Sequence, residues 1–429
     1  MWSDTRAATA WALVWLLLVT AGFLLVRRPE ERTPKRAIPL ALILMIALLA
    51  RLLPALLLPV GAGYDIDSYR LVTDALLGGR EVYTSSVGRH PYLPFQMYIM
   101  GAMAYLSQAS GLPYVVAIKL PAIFADVAIT GLIYRFSTQT RGAGWAAYPA
   151  LLYALNPVSV LVTAYHGQFE AVTLFFLLLA WWYWHREHIV SSATLLGFAI
   201  LNKTWPVVFL PIVWIRLHNW RDRIVYPAIA IGIPVLSILA YLFIFSAEPT
   251  PMLRRALTHR GVAGYWGPGA ILNPAAVVWP GLQPIVDFAV VIRNWLLLAA
   301  ILISLWWTRR QPALDAFLTL LLSMFVVTVG FGIQWLVWPI PFALLADEDR
   351  WLKPYSLAAA FMLVIHLYGL HMYPWLSEWI PAPAHEWVIR MSALPAWGIV
   401  VAWTISRYRR AMTKDLTHIP TLDGINPSC

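Results

Sequence analysis

Apolar runs of membrane-crossing length recur from one end of this chain to the other, and they constrain its architecture before any motif is considered. A helix needs about 20 mostly apolar residues to cross the hydrocarbon core of a bilayer. By that rule, spans are placed near residues 10–26, 37–60, 115–135, 144–162, 168–184, 189–203, 205–217, 225–246, 285–307, 314–333, 335–347, 354–373 and 389–406. The short pairs 189–217 and 314–347 read as runs that reach the far face and turn back, with Lys203, Pro206, Gln334 and Pro339 marking the turns. The expected fold is an all-α, polytopic transmembrane bundle of about 13 spans.

Composition agrees. Of 429 residues, 60% are hydrophobic and 12% charged; a soluble domain carries roughly twice that charged share. So much apolar surface needs lipid as its solvent. Tryptophan, at 23 residues, favours the membrane–water interface. The single cysteine, Cys429, excludes internal disulfides. The net charge of +10 does not point to nucleic acid, because basic residues in membrane proteins gather in cytoplasmic loops near anionic lipid. The first run has a weak basic start (Asp4, Arg6) and no small-residue cleavage site before Arg27 and Arg28, so it reads as a span and not a signal peptide.

Lysine and arginine placement sets the expected orientation. If the loop with Arg27, Arg28, Arg32, Lys35 and Arg36 is cytoplasmic, the alternate loops with Arg135, Arg186, Arg221, Arg309 and Arg350 follow, as does the tail with Arg407 to Lys414. The N-terminus then lies outside and the C-terminus inside a bacterial-type cytoplasmic membrane. Three parts are expected: an extra helix and basic loop (1–36), a catalytic module (37–347) and a C-terminal set of helices and tail (348–429). Two long loops, 61–114 and 247–284, fall outside; long loops with their own structure are usually functional. In the first, DSYRLVTDALL (67–77) and YLPFQMYIMGAMAY (92–105) read as amphipathic juxtamembrane helices.

The chemistry-bearing residues gather in those loops and at the outer turns. Asp65 and Asp67 form a D-x-D motif that, in an extended segment, turns both carboxylates to one face. Such a pair suits proton abstraction or a shared divalent metal, Mg or Mn; Asp67 also fits the cap of the following helix. Asn156-Pro157 reads as a helix end near the outer face, followed by HGQFE with His166, Gln168 and Glu170 opening the next span. Polar residues there line a cavity or form a helix-end cluster. Lys203 reads as a phosphate-binding cation or an interfacial snorkel. Arg254, Arg255 and Arg260 go against the inside bias and call for an anionic partner, a lipid phosphate or bilayer headgroups. Tyr265 and Trp266 suit stacking on a sugar or anchoring the loop, and Gln334-Trp335 with Trp338 suits substrate contact or an aromatic belt. Arg51 and Asp126 lie at matching depth inside their spans, so a buried structural ion pair is expected.

The order of these elements resembles the GT-C superfamily of integral membrane glycosyltransferases. A span is followed by an acidic D-x-D in a long first loop, Tyr92 and Pro94, Lys119-Leu120-Pro121 with Asp126, Leu155-Asn156-Pro157, HGQFE, Asn202-Lys203 and an arginine-rich loop. Tyr92 and Pro94 stand one residue apart, where the family's element has two. The nearest likeness is to bacterial polyprenyl-phosphate-hexose-dependent transferases of the mannosyltransferase type. HGQFE is similar to an element of eukaryotic enzymes that glucosylate dolichol-linked oligosaccharides. Gln334, Trp335 and Trp338 are similar to the Q-Y-x-x-W element of glycolipid mannosyltransferases, with tryptophan for tyrosine. The likeness covers roughly residues 37–345.

The resemblance implies an outer catalytic cavity and inverting transfer of a hexose from a polyprenyl-phosphate donor to a glycolipid, lipid-linked glycan or protein. Asp65 is expected as base, with Asp67 orienting it or holding a metal. Arg254, Arg255, Arg260 and Lys203 are expected on the donor phosphate. His166, Gln168, Glu170, Tyr265, Trp266 and Gln334 are expected on the sugar or acceptor. A lipid-linked-sugar flippase and a lipid-diphosphate glycan ligase are the competing readings, and a non-catalytic assembly partner is a third.

Overall fold

A computed structural model describes residues 5–29, 38–58, 61, 63–86, 88–258, 261–368 and 379–417. The chain is an all-α polytopic membrane protein. In chain order the principal helices are α1 (Thr5–Leu25), α2 (Leu40–Leu57), α3 (Gly63–Leu77), α4 (Pro94–Ser110), α5 (Leu120–Arg141), α6 (Ala143–Ala154), α7 (Glu170–His185) and α8 (Ile189–Asn202). They continue with α9 (Trp220–Phe245), α10 (Pro249–Thr258), α11 (Gly267–Val278), α12 (Gln283–Thr308), α13 (Ala313–Val327), α14 (Asp349–His366) and α15 (Leu394–Thr417).

Six helices among the described residues are long and apolar enough to cross a membrane, and a bent pair, Ala143–Ala154 with Pro157–His166, makes up to seven. Other expected spans are shorter helices, such as Ile189–Asn202 and Ala313–Val327. The two turning pairs are real breaks. Lys203 leaves α8 in an extended conformation, before a 3-10 turn at Trp205–Phe209. After α13 a two-residue strand, Gly330–Phe331, pairs antiparallel with Val262–Ala263 and so ties the second long loop to that turn.

The first long loop holds two amphipathic helices, α3 and α4, packed on each other. The buried face of α3 is Ile66, Tyr69, Val72, Thr73 and Ala75. Leu71 is exposed.

A helix ends at Ala154, just before Asn156-Pro157, as expected from sequence, and the next begins at Pro157 with a bend of 43° between them. Proline has no N–H to give the carbonyl four residues back, here Tyr153. Asn156 accepts from the Val158 and Ser159 amides through Oδ1, which draws the Val158 N–H away from Ala154. The Ala154 carbonyl is instead met by the Arg51 guanidinium at 2.8 Å, and the Tyr153 carbonyl by the Asn156 amide at 3.1 Å together with Arg51 at 3.2 Å.

Arg51 donates through Nε to Asp126 at 2.6 Å, with both side chains fully buried. The Tyr153 hydroxyl (2.5 Å), the Thr163 hydroxyl (3.0 Å) and the Ser159 hydroxyl also donate to Asp126. Breaking a buried pair by removing one partner costs about 3–5 kcal/mol, because the other charge is left uncompensated. Arg51→Met should therefore lower thermal stability in detergent sharply, and Arg51→Met with Asp126→Leu should recover part of the loss. A single variant as stable as the parent would contradict the structural role.

Candidate active site

Beyond the bend the chain widens into a π-helical turn, Leu161–His166, and then reverses at Gly167, whose φ of 87° a residue with a Cβ rarely adopts. That turn delivers His166 and Gln168 to the first turn of α3. His166 Nε2 lies 2.7 Å and Gln168 Nε2 2.8 Å from Asp65 Oδ2. A carboxylate only accepts, so both nitrogens donate. Both bonds fall on the same oxygen; among the described residues Oδ1 has no bond of this kind and remains able to take a proton. The Asp65 side chain is 31% exposed.

Burial alone would raise the pKa of Asp65. The hydrogen bond and charge of His166, the Gln168 bond and the nearby Lys203 outweigh it and hold the carboxyl below its usual range.

Asp67 does not join this group. The D-x-D lies within helix α3 rather than in an extended segment. At 3.6 residues per turn, positions two apart diverge by about 200°, and Asp67 is exposed on another face. The expected shared metal finds no donor set here. Among the described residues no three His, Cys, Asp or Glu side chains come together, and Asp65 is engaged by donors that would have to move.

Glu170, expected on a sugar, is fully buried and engaged on both oxygens. Oε1 meets Lys203 Nζ at 2.5 Å and Oε2 accepts from Trp338 Nε1 at 2.7 Å. The Lys203 ammonium also stands 4.8 Å over the Tyr92 ring. Trp205 stacks on Trp338 at 4.0 Å.

Tyr92, Lys203, Trp205 and Trp338 line a cavity of about 190 Å³ together with Trp335, Arg293, Leu297, Met324, Phe325 and Gly330. Around Asp65 and this cavity, buried polar atoms lack a protein partner: Tyr69 Oη, His166 Nδ1, Gln168 Oε1, Asn202 Oδ1 and Trp205 Nε1. Such atoms are costly unless water or a ligand meets them.

Several expected contacts lie elsewhere. Trp266 is fully buried, stacked on Phe331 at 4.2 Å and bonded to the Phe325 carbonyl at 2.8 Å, so it holds the loop and offers no face to a sugar. Tyr265 packs on His366 and faces Arg390. Gln334 folds against Gly332 and is not a lining residue, whereas its neighbour Trp335 is. Arg254 and Arg255 are exposed on α10, which lines the cavity only through Ala256. Arg255 is laid over Gly88, where a Cβ would come within 2.1 Å of its guanidinium carbon. Arg260 lies outside the described residues. Arg293 is the functional candidate that the sequence reading passed over. Its signal was a lone arginine in an otherwise apolar span.

Residues 92–339 match the model of glycosyltransferase family 87, more than half of the chain. The chain belongs to glycosyltransferase family 87. The match takes in the Tyr92, His166, Gln168, Glu170, Lys203, Arg293 and Trp338 elements, while Asp65 precedes it and enters the site through its contacts with His166 and Gln168.

Removing a bond that favours the charged form raises a carboxyl's pKa. If transfer requires ionised Asp65, the acid limb of kcat/KM should therefore move to higher pH in Gln168→Ala. A limb that stays in place or moves to lower pH would separate Gln168 from the charge of Asp65.

Proposed function

We propose that this glycosyltransferase is of the GT-C type and moves a hexose, mannose-like, from a polyprenyl-phosphate donor to a glycolipid, a lipid-linked glycan or a protein. Transfer takes place on the outer face of a cytoplasmic membrane, with the N-terminus outside and the C-terminus inside. One observation carries the reading: an ionised carboxylate with one oxygen held by two donors and the other free stands beside unpartnered polar atoms and an apolar, cation-bearing cavity. The polar part suits a sugar and the apolar part a lipid carrier.

An acceptor hydroxyl is too weak an acid to ionise at neutral pH. As its oxygen bonds to the anomeric carbon, its proton passes to Asp65 Oδ1, and the bond from that carbon to the phosphate oxygen breaks. The electron pair leaves on the lipid phosphate. A single displacement inverts the anomeric carbon. His166 and Gln168 fix Asp65 and keep it charged. Lys203, held by Glu170, supplies positive potential near the phosphate as its charge grows.

General base catalysis contributes about 10²–10⁴-fold, so Asp65→Asn should lower kcat of purified protein by that order while donor binding persists. Turnover equal to the parent's would eliminate Asp65 as base. Sidedness has its own test. With Cys429→Ser removing the only native thiol, Asp65→Cys should be labelled in intact cells by a membrane-impermeant thiol reagent; labelling only after lysis would place the site on the cytoplasmic side.

A further inference from the structure

Helix α3 carries a second polar side chain on the face that holds Asp65. Tyr69 follows Asp65 by one turn, and residues four apart on a helix are neighbours, about 5–6 Å between their Cβ atoms. The Tyr69 ring is buried edge-on against Phe169, with centroids 5.6 Å apart. Phe169 separates Gln168, which bonds to Asp65, from Glu170, which holds Lys203. Burial, with Asp65, Tyr92 and Glu170 nearby, pushes the Tyr69 phenol well above its ordinary pKa, so it keeps its proton. Tyr69 thus stands at the junction of two groups. Asp65 and its donors lie on one side, and the Tyr92, Glu170 and Lys203 border of the cavity on the other.

The Tyr69 hydroxyl is buried and has no hydrogen-bond partner among the described residues. The fully buried Tyr153, Tyr165, Tyr226, Tyr241 and Tyr355 all bond theirs to a protein group. A buried hydroxyl left unbonded forfeits the bond it would make in water. Packing against Phe169 needs the ring and not the oxygen, so phenylalanine would fill the same space. An oxygen that the fold does not use points to a ligand that does.

In a single displacement the attacking oxygen, the anomeric carbon and the leaving oxygen fall in line. With the acceptor hydroxyl at Asp65 and the phosphate near Lys203, the sugar ring lies between them, beside Tyr69. The anomeric carbon has two ring neighbours, the ring oxygen and C2. The ring oxygen gains positive charge as the leaving group departs and loses its power to accept a proton donor. A hydrogen bond at the 2-hydroxyl instead strengthens in an oxocarbenium-like transition state. We propose that Tyr69 Oη binds the C2 hydroxyl of the transferred hexose and sets donor specificity at that carbon. This assignment rests on the glycosyl-transfer reading.

The test crosses two proteins with three donors. The parent and Tyr69→Phe, as full chains in nanodiscs, are given undecaprenyl-phosphate mannose and its 2-deoxy and 4-deoxy counterparts, with octyl mannoside as acceptor. Tyr69→Phe should lower kcat/KM about tenfold with the mannose and 4-deoxy donors, the scale of one lost hydrogen bond, with most of the loss in kcat. With the 2-deoxy donor the two proteins should be equal, which also shows that the variant is folded. The same loss with all three donors, or no loss with the mannose donor, would overturn the assignment and leave sugar transfer standing. So would a loss that vanishes with the 4-deoxy donor and persists with the 2-deoxy one, which would move the contact to another carbon. A parent that turns over none of the donors would sink mannosyl transfer, and this assignment with it.

Discussion

A guanidinium with no access to water stands where the helix after α6 breaks, and the site depends on what it does there. Pro157 and the capping Asn156 take the helical partners away from the Tyr153 and Ala154 carbonyls, which in a membrane interior have no water to turn to. Arg51 bonds to both, the Asn156 amide shares the Tyr153 carbonyl, and Asp126, with the Tyr153, Ser159 and Thr163 hydroxyls, balances the Arg51 charge. The cluster lets the chain bend by 43° without orphaned backbone groups. The bend and the π turn after it set the direction in which His166 and Gln168 reach Asp65.

A second ion pair, Lys203 with Glu170, works at the other border of the site. It fixes the break between α8 and the 3-10 turn, seats Trp338 through the second Glu170 oxygen and brings Trp205 into a stack with it. Charge, aromatic wall and cavity are thus set by one buried carboxylate. Asp65 lies on an amphipathic helix outside the spans, where a third of its side chain meets water. Asp65 is therefore accessible while its partners are held by the bundle. That division suits the proposed reaction, in which a sugar leaves a carrier that lives in lipid for an acceptor hydroxyl.

Much of this was legible in the sequence, for identifiable reasons. Apolar runs announce spans because hydrocarbon admits few alternatives, and Arg51 and Asp126 could be paired because a buried charge at a given depth needs an opposite one at that depth. His166, Gln168, Lys203 and Asp65 were picked out as polar residues at the mouths of apolar helices. Their partners were not foreseen, because sequence spacing does not say that Glu170 would turn to Lys203 rather than to a substrate. The D-x-D motif misled because its geometry depends on backbone state: in a strand Asp65 and Asp67 converge, in helix α3 they diverge. Trp266 misled because a tryptophan in a loop reads as an exposed ring until the strand pair with Gly330–Phe331 is known to cover it. Arg293 was hidden by averaging, one charge inside a span whose mean hydropathy stays high.

The account's central claim is a placement: sugar at Asp65, lipid phosphate in the adjoining cavity. A cryo-electron-microscopy structure of the Asp65→Asn protein with a lipid-phosphate sugar and an acceptor analogue tests it most directly. The account requires the acceptor hydroxyl within hydrogen-bond reach of residue 65 and the phosphate between α12 and the Lys203 turn. A phosphate seated on the exposed arginines of α10, with the sugar remote from residue 65, would contradict it.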